Sequence, residues 1–180
     1  MPSHNANARL ATPRRRDRTM DTPWIRDFLA RAPFGVIATA DGSQPYAIPL
    51  SFVFDESAHA IYLHKAKTGR MLTNIATNNR VCFSVAEMGR LLPGDRGCEF
   101  SVEYASVVVS GRASVVTDPA EAGRALQGLL NKYFPHLHAD RDYRSISPSE
   151  RDATAVVRID IEHWTGKAHR AAPDHPGASR

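Results

Sequence analysis

Short β-type runs divided by tight turns, with few helical stretches between them, constrain this chain more than any other feature of its sequence. Phe34 to Ala40 is one such run, Asp41-Gly42 is a hairpin signal, and Gln44 to Phe54 returns as a second strand. Ala60 to His64 forms a third around Ile61, Tyr62 and Leu63, and Arg80 to Val85 alternates Val81, Phe83 and Val85 with polar or small residues. Tyr104 to Val116 carries Val107, Val108 and Val109 at its centre, too continuous for a strand exposed on one face. Ala153 to Trp164 alternates again. A doubly wound parallel sheet needs a helix after nearly every strand, and only three helices are expected here. The first opens at Asp21-Thr22-Pro23 and carries Trp24, Ile25, Phe28 and Leu29 at helical spacing. The second is capped by Thr68, shows Met71, Leu72 and Ile75 on one face and ends at Asn78-Asn79. The third runs from Asp118-Pro119 through Leu126, Leu129 and Leu130 to Tyr133. His136 to Asp152 reads as a polar insertion. The expected fold is therefore mainly β with peripheral helices (α+β), its six antiparallel strands closing into a small barrel because closure removes unpaired edges.

Length and charge bound the rest. At 180 residues the chain suits one domain with one core. Residues 1–19 read as a disordered basic leader, 20–168 as a single domain and 169–180 as a flexible tail. The net charge of +4 invites a nucleic-acid reading, but Arg9, Arg14, Arg15, Arg16 and Arg18 against Asp17 account for all of it. A groove-tracking protein carries its excess charge on the folded surface, so nucleic acid is the weaker reading and the leader is a solvated tail. No apolar run approaches the roughly 18 residues of a membrane span, and no apolar stretch follows the N-terminus to make a secretory signal. Two cysteines, Cys82 and Cys98, supply neither a disulfide framework nor a four-thiolate metal site, so a reducing cytoplasm is the expected compartment.

The most informative segment is His64-Lys65-Ala66-Lys67-Thr68-Gly69-Arg70, where basic side chains, a hydroxyl and a glycine fall between a strand end and a helix start. A phosphate dianion wants charge-assisted donors, free backbone N–H groups and the positive end of a helix dipole. Gly69 lets backbone come close and Arg70 offers a bidentate fork. A solvated charged turn would show the same composition. In Pro45-Tyr46-Ala47-Ile48-Pro49-Leu50-Ser51 two prolines in one strand argue against a central position, leaving either an ordinary edge strand or an edge free to meet a flat ligand. His136 and His138 lack neighbouring ligands for a metal, and Cys82 reads as a buried small hydrophobe.

These segments, with Asn79-Arg80-Val81-Cys82-Phe83-Ser84-Val85, Tyr104-Ala105-Ser106-Val107-Val108-Val109-Ser110-Gly111-Arg112 and Trp164-Thr165-Gly166-Lys167, resemble in order and spacing the pyridoxamine 5′-phosphate oxidase-like flavoproteins, and among them the Nim-type branch associated with nitroimidazole resistance. The resemblance spans about residues 14–168. It implies a split β-barrel homodimer of the FMN-binding type, with one FMN in each of two clefts at the subunit interface. Carried over by position, Lys67, Thr68, Gly69 and Arg70 would hold the FMN phosphate, while Ala47, Ile48, Pro49 and Leu50 would run along the isoalloxazine. Leu63 and His64 would sit beside the cofactor, and Ser106, Trp164 and Lys167 would close the site. His64 is the implied catalytic residue, donating a proton or hydrogen bond to a nitro or carbonyl group. Ala105 stands where the branch often has a basic residue. The implied activity is FMN-dependent reduction of a small electron-deficient molecule with a visiting nicotinamide cofactor as donor, since no Gly-x-Gly-x-x-Gly fingerprint is present. A flavin-, deazaflavin- or haem-binding module with little turnover is the alternative, because fold does not dictate function.

Overall fold

The computed structural model describes residues 15–180. Its strands are β1 (Thr19–Met20), β2 (Gly35–Asp41), β3 (Gln44–Leu50), β4 (Phe52–Asp55), β5 (Ala60–Ala66), β6 (Arg80–Leu92), β7 (Ser101–Val115) and β8 (Thr154–His169). Its α-helices are α1 (Thr22–Arg31), α2 (Arg70–Thr77), α3 (Pro119–Tyr133) and α4 (Pro148–Ala153). All pairings are antiparallel, in the order β3-β2-β6-β7-β8-β5-β4, with β1 added to β8.

Closure follows from chain continuity. β3 and β4 lie at opposite ends of that order, yet only Ser51 separates them. Leu50 faces Gly35 on β2, whereas Phe52 faces Leu63 on β5. Two residues of chain span about 7 Å at most, so the sheet must curl until its two edges meet at this point. They meet without pairing, and the result is a split barrel.

Among the described residues eight strands therefore stand where six were expected. Ser51 divides the run from Gln44 to Phe54, and β1 occupies the stretch of β8 beyond Asp160 that β5 leaves unpaired. The strands after α2 also run on farther than their apolar alternation indicates: β6 reaches Leu92 through a register shift between Met88 and Leu91, and β8 reaches His169.

Alternate residues of each strand fill the interior. Ile37, Phe83, Val85, Val107, Val109, Val157 and Ile159 are fully buried, with Phe52 edge-on to Phe83 at 4.9 Å. Gly35 opens β2 because any Cβ there would run into the Phe83 ring. α1, capped by the Asp21 carboxylate on the Trp24 N–H at 3.0 Å, adds Ile25, Phe28 and Leu29 to the same core. β5 is buried on both faces: Ile61 and Leu63 look inward, while Ala60 and Tyr62 lie under Ala122 and Ala125 of α3. A knot of polar groups pins α3 there, with the Tyr62 hydroxyl donating to Glu121 at 2.7 Å and Arg158 donating to the same oxygen at 2.8 Å.

Both chain ends of the domain make contacts with it. Residues 1–14 of the expected leader lie outside the described residues, but Thr19 and Met20 pair with Lys167 and Gly166. The tail is hydrogen-bonded to the β6–β7 hairpin. Glu103 is buried on β7 and takes two guanidinium bonds from Arg90 at 2.9 and 3.1 Å together with the Ala171 N–H at 3.0 Å. Arg90 spends its other donors on the carbonyls of Ala172 and Pro173, and Leu91 exchanges two backbone bonds with Ser179.

Two outcomes test this architecture. The Tyr133 hydroxyl accepts the Phe52 N–H at 2.9 Å and donates to the Pro33 carbonyl at 2.7 Å, so it pins the chain beside the Ser51 crossing. Tyr133→Phe is expected to cost about 1–3 kcal/mol, the penalty for a partly buried N–H left without a partner, measured by urea unfolding. The Arg90 guanidinium, with the N–H groups of Ala171 and Arg90, holds the Glu103 carboxyl down to about 2 from its usual 4.5. A depressed carboxylate stabilises the folded state above the unfolded pKa, and that stability is lost as pH falls through the folded value. The Ala171 amide resonance is therefore expected to titrate near pH 2; a midpoint at 4.5 would show that the tail is not held this way.

Candidate functional site

One wall of the split is β3. Its hairpin with β2 turns through Gly42, whose φ of 54° fits a tight two-residue turn. Among the described residues β3 pairs with β2 alone, and its two prolines fall where an N–H would point away from β2, since a proline can donate to no partner. Ala47 lies between them and presents the outward N–H. Tyr46, Ile48 and Leu50 turn inward and rest partly buried on the barrel core, while Ala47 and Pro49 are exposed.

The other wall is the end of β5 and the start of α2. Leu63 is buried, and His64 and Lys65 follow on opposite faces of the strand. The cap of α2 is Gly69, with φ 130°, and not Thr68 as expected; no side chain caps the helix. The Gly69 carbonyl accepts from Leu72 and Thr73, so the helix begins one residue later than a Thr68 cap would set. Its first N–H groups consequently point outward without a covering side chain. A Cβ on Gly69 would stand 3.2 Å from Lys65 Nζ, which places that ammonium against the helix start. The Arg70 guanidinium lies over the Tyr46 ring, 5.0 Å from its centroid, and so spans the gap to β3.

α2 is held rigidly in this position. Met71 and Ile75 are part of the barrel core, and buried Asn74 donates to Thr39 Oγ1 at 3.0 Å, which in turn donates to the Tyr46 carbonyl at 3.4 Å. The same helix that plugs the barrel thus aims its positive end into the split.

Arg70 reaches Tyr46 of β3, and Leu63 faces Phe52, two residues past Leu50, so Ala47 to Leu50 and Thr68 to Arg70 stand on neighbouring elements. Lys67 is exposed and lines a pocket of about 470 Å³ together with Leu72, Val115 and Arg151. Lys65, inside the basic run but not carried over by the resemblance, is the lysine against Gly69. His64 is exposed and borders a pocket of about 330 Å³ shared with Leu126, Leu129 and Leu130 of α3 and Tyr143 and Ile146. The segment read as a polar insertion is therefore a pocket wall, fixed in part by the Gln127 amide donating to the Tyr143 hydroxyl at 2.8 Å.

Ser106, Trp164 and Lys167 lie apart from the gap within the chain. Trp164 packs edge-on to Phe54 and His59 near the β4–β5 turn, at 6.0 and 4.7 Å between centroids. Ala66 pairs with Thr154, so Trp164 is ten residues farther along β8, about 33 Å at strand rise. Ser106 and Lys167 face each other across β7 and β8, beyond it. They belong to the outer face of the sheet, which carries small side chains in register: Ala38, Cys82 and Ser110 in one row, Val36, Ser84 and Val108 in the next. Burial pushes the Cys82 thiol up, away from reactivity. Among the described residues no group of three His, Cys, Asp or Glu is placed to hold a metal ion, and no helix is long and apolar enough to cross a membrane.

Comparison with known proteins agrees with this architecture. The family described as pyridoxamine 5′-phosphate oxidase matches residues 21–168. Among solved structures, the flavocytochrome Anf3 from Azotobacter vinelandii superposes with a TM-score of 0.77 at 19% identity, covering 92% of this chain and 75% of that one. A FAD and haem binding protein from Mycobacterium smegmatis gives 0.75 at 22% identity, covering 86% and 74%. A candidate 5-nitroimidazole antibiotic resistance protein from Bacteroides thetaiotaomicron gives 0.69 at 21% identity, covering 83% and 86%. No curated protein matches the chain. At such identities the structures speak for the fold, whereas the family match covers most of the sequence: the chain belongs to the pyridoxamine 5′-phosphate oxidase family.

Proposed function

We propose that this protein is a flavin-dependent oxidoreductase that holds FMN in the split between β3 and the β5–α2 turn and reduces a small electron-deficient molecule, nitroaromatic compounds foremost. The observation that carries the reading is the uncapped start of α2, with Lys65 Nζ at Gly69 and Arg70 laid across Tyr46. That donor set fits a phosphate: two cations, outward N–H groups and a glycine at the point of closest approach. A bound flavin supplies the two-electron redox chemistry.

The chain's own residues do the rest. Lys65, Arg70 and the first N–H groups of α2 bind the phosphate. Ala47, between its prolines, offers an N–H and a carbonyl to the edge of a flat ring, and Ile48, Leu50 and Leu63 keep water from one side of it. His64 borders the 330 Å³ pocket, a size suited to a small substrate, and with Arg144 it offers an N–H donor to a nitro or carbonyl oxygen there. Reduced nicotinamide visits the same cleft as electron donor.

The site is completed by a second copy. The outer face of β2, β6 and β7 carries small residues and half-exposed Val108, a surface suited to close approach of an identical sheet. A homodimer through this face would bring Ser106 and Lys167 of one copy toward the split of the other, while Trp164, opposite inward Val109 and packed on Phe54, stays with the inner face of its own chain. We place the dimer in the cytoplasm, acting on free small molecules and not on nucleic acid. The nitroimidazole branch is supported by the fold shared with the Bacteroides protein. A second reading, a flavin- or haem-binding module of low turnover, is favoured by the fold shared with the flavocytochrome and the FAD and haem binding protein.

The visible spectrum separates them. Purified protein soaked with FMN is expected to show two flavin bands that bleach on anaerobic addition of reduced nicotinamide; a single intense Soret band, or flavin that never bleaches, would favour the binding module. Arg70→Ala is expected to weaken FMN binding roughly 10- to 100-fold, through loss of a charge-assisted contact of about 1.5–3 kcal/mol; unchanged affinity would remove the phosphate assignment. His64→Ala is expected to retain flavin and slow substrate reduction about 100-fold or more in single turnover, and wild-type rates would deny His64 a catalytic role.

A further inference from the structure

Lys67, from the loop that forms the phosphate cradle, lines a pocket of about 470 Å³. It is closed by the end of β7, the start of α3, α4 and the first residues of β8. Two features set it apart. Arg151, from the last turn of α4, lines it with a buried Nε that has no hydrogen-bond partner among the described residues. Asp152 forms an ion pair with that nitrogen at 3.4 Å, too poorly aligned for a hydrogen bond, and is itself largely exposed, so it leaves the donor open to a better acceptor. Buried guanidinium donors are normally satisfied, so an unmet one on a pocket wall calls for an acceptor from outside the chain. The rest of the lining mixes Leu72, Val115 and Val116 with the hydroxyls of Thr117 and Thr154.

We infer that this pocket binds an adenosine phosphate, with the phosphate between Lys67 and Arg151 and the flat base against Leu72, Val115 and Val116. The cations of Lys67 and Arg151 against the single carboxylate of Asp152 leave a net positive site. Inorganic phosphate alone would leave these apolar side chains wet, whereas an apolar molecule would leave the Arg151 N–H unmet. The volume is that of a small-molecule site. Lys67 leaves the loop two residues before Gly69, so the pocket adjoins the cradle. A phosphate linked to one held at Gly69 lies within reach of it. The adenosine phosphate then has two possible sources: the second half of a dinucleotide flavin, or the adenosine 2′-phosphate of the nicotinamide donor. Only this choice of source rests on the flavin reading; the pocket stands on its own residues.

Calorimetric titration of the flavin-free protein with 5′-AMP, 2′-AMP and inorganic phosphate tests it. Expected are saturable binding of at least one nucleotide, much weaker binding of phosphate, a tenfold or greater loss in Arg151→Gln and in Lys67→Gln, and no loss in Arg70→Ala. Circular dichroism melts of each variant establish that it is folded. Tighter binding of FAD than FMN, with 5′-AMP competing against FAD alone, assigns the dinucleotide flavin. Preference for 2′-AMP, with NADPH bleaching the flavin at lower concentration than NADH, assigns the donor. No nucleotide heat, or equal affinity in folded Arg151→Gln, overturns the proposal. Nucleotide binding without any FMN binding removes the flavin reading and leaves the pocket, and FMN binding without nucleotide binding does the reverse.

Discussion

The chain passes from one edge of its sheet to the other through a single residue, Ser51, and the rest of the structure is arranged around that passage. Seven strands in ladder order would form an open, twisted sheet if their ends were free. Joining the ends covalently forces curvature, and curvature creates an interior for Phe52, Phe83 and the branched residues of β6 to β8. Because the join is a point and not a ladder, the two edges diverge on either side of it. The gap is therefore a by-product of closure, with β3 on one lip and the β5–α2 turn on the other. Tyr133 holds the passage from outside by bonding to Phe52, and Lys132 beside it sets its ammonium 3.6 Å from the centroid of the same ring.

Fold and site share α2. Its inner residues Met71 and Ile75 contribute to core burial, its middle residue Asn74 is tied through Thr39 to the backbone of β3, and its first turn meets the gap. A cation cluster at an exposed turn would normally spread by self-repulsion and solvation. Here each member has a separate restraint: Lys65 belongs to a paired strand, and Arg70 rests on an aromatic face. The geometry that could hold an anion is thus carried by the packing of the barrel and not by a mobile loop, which is the arrangement expected of a preorganised site.

Much of this was legible from residue order. Asp41-Gly42, the alternation of β6 and β8 and the basic run before α2 each have a local physical cause, and so does the proline spacing that marks β3 as an edge. What escaped depends on partners distant in sequence. A cut at Ser51 leaves no mark in an unbroken β-type run, because it follows from which strand each half pairs with. Thr68 looks like a helix cap by composition, but Gly69 takes that place, and the one-residue difference decides which lysine meets the helix start. The tail from Ala171 onward has nothing to indicate order until Glu103 is known to be buried opposite Arg90. Trp164 and Lys167 were readable as site residues by resemblance alone; their remoteness from Gly69 emerges only with the full length of β8.

The prolines of β3 bear on how this protein survives crowding. An open strand edge is a template on which another chain can add, and repeated addition is the route to cross-β fibrils. Here the exposed lip offers one N–H, from Ala47, where an unbroken edge would offer three. A flat small molecule needs no more than that, but a growing stack of strands does. The protein can keep its edge open to a ligand while closing it to polymerisation.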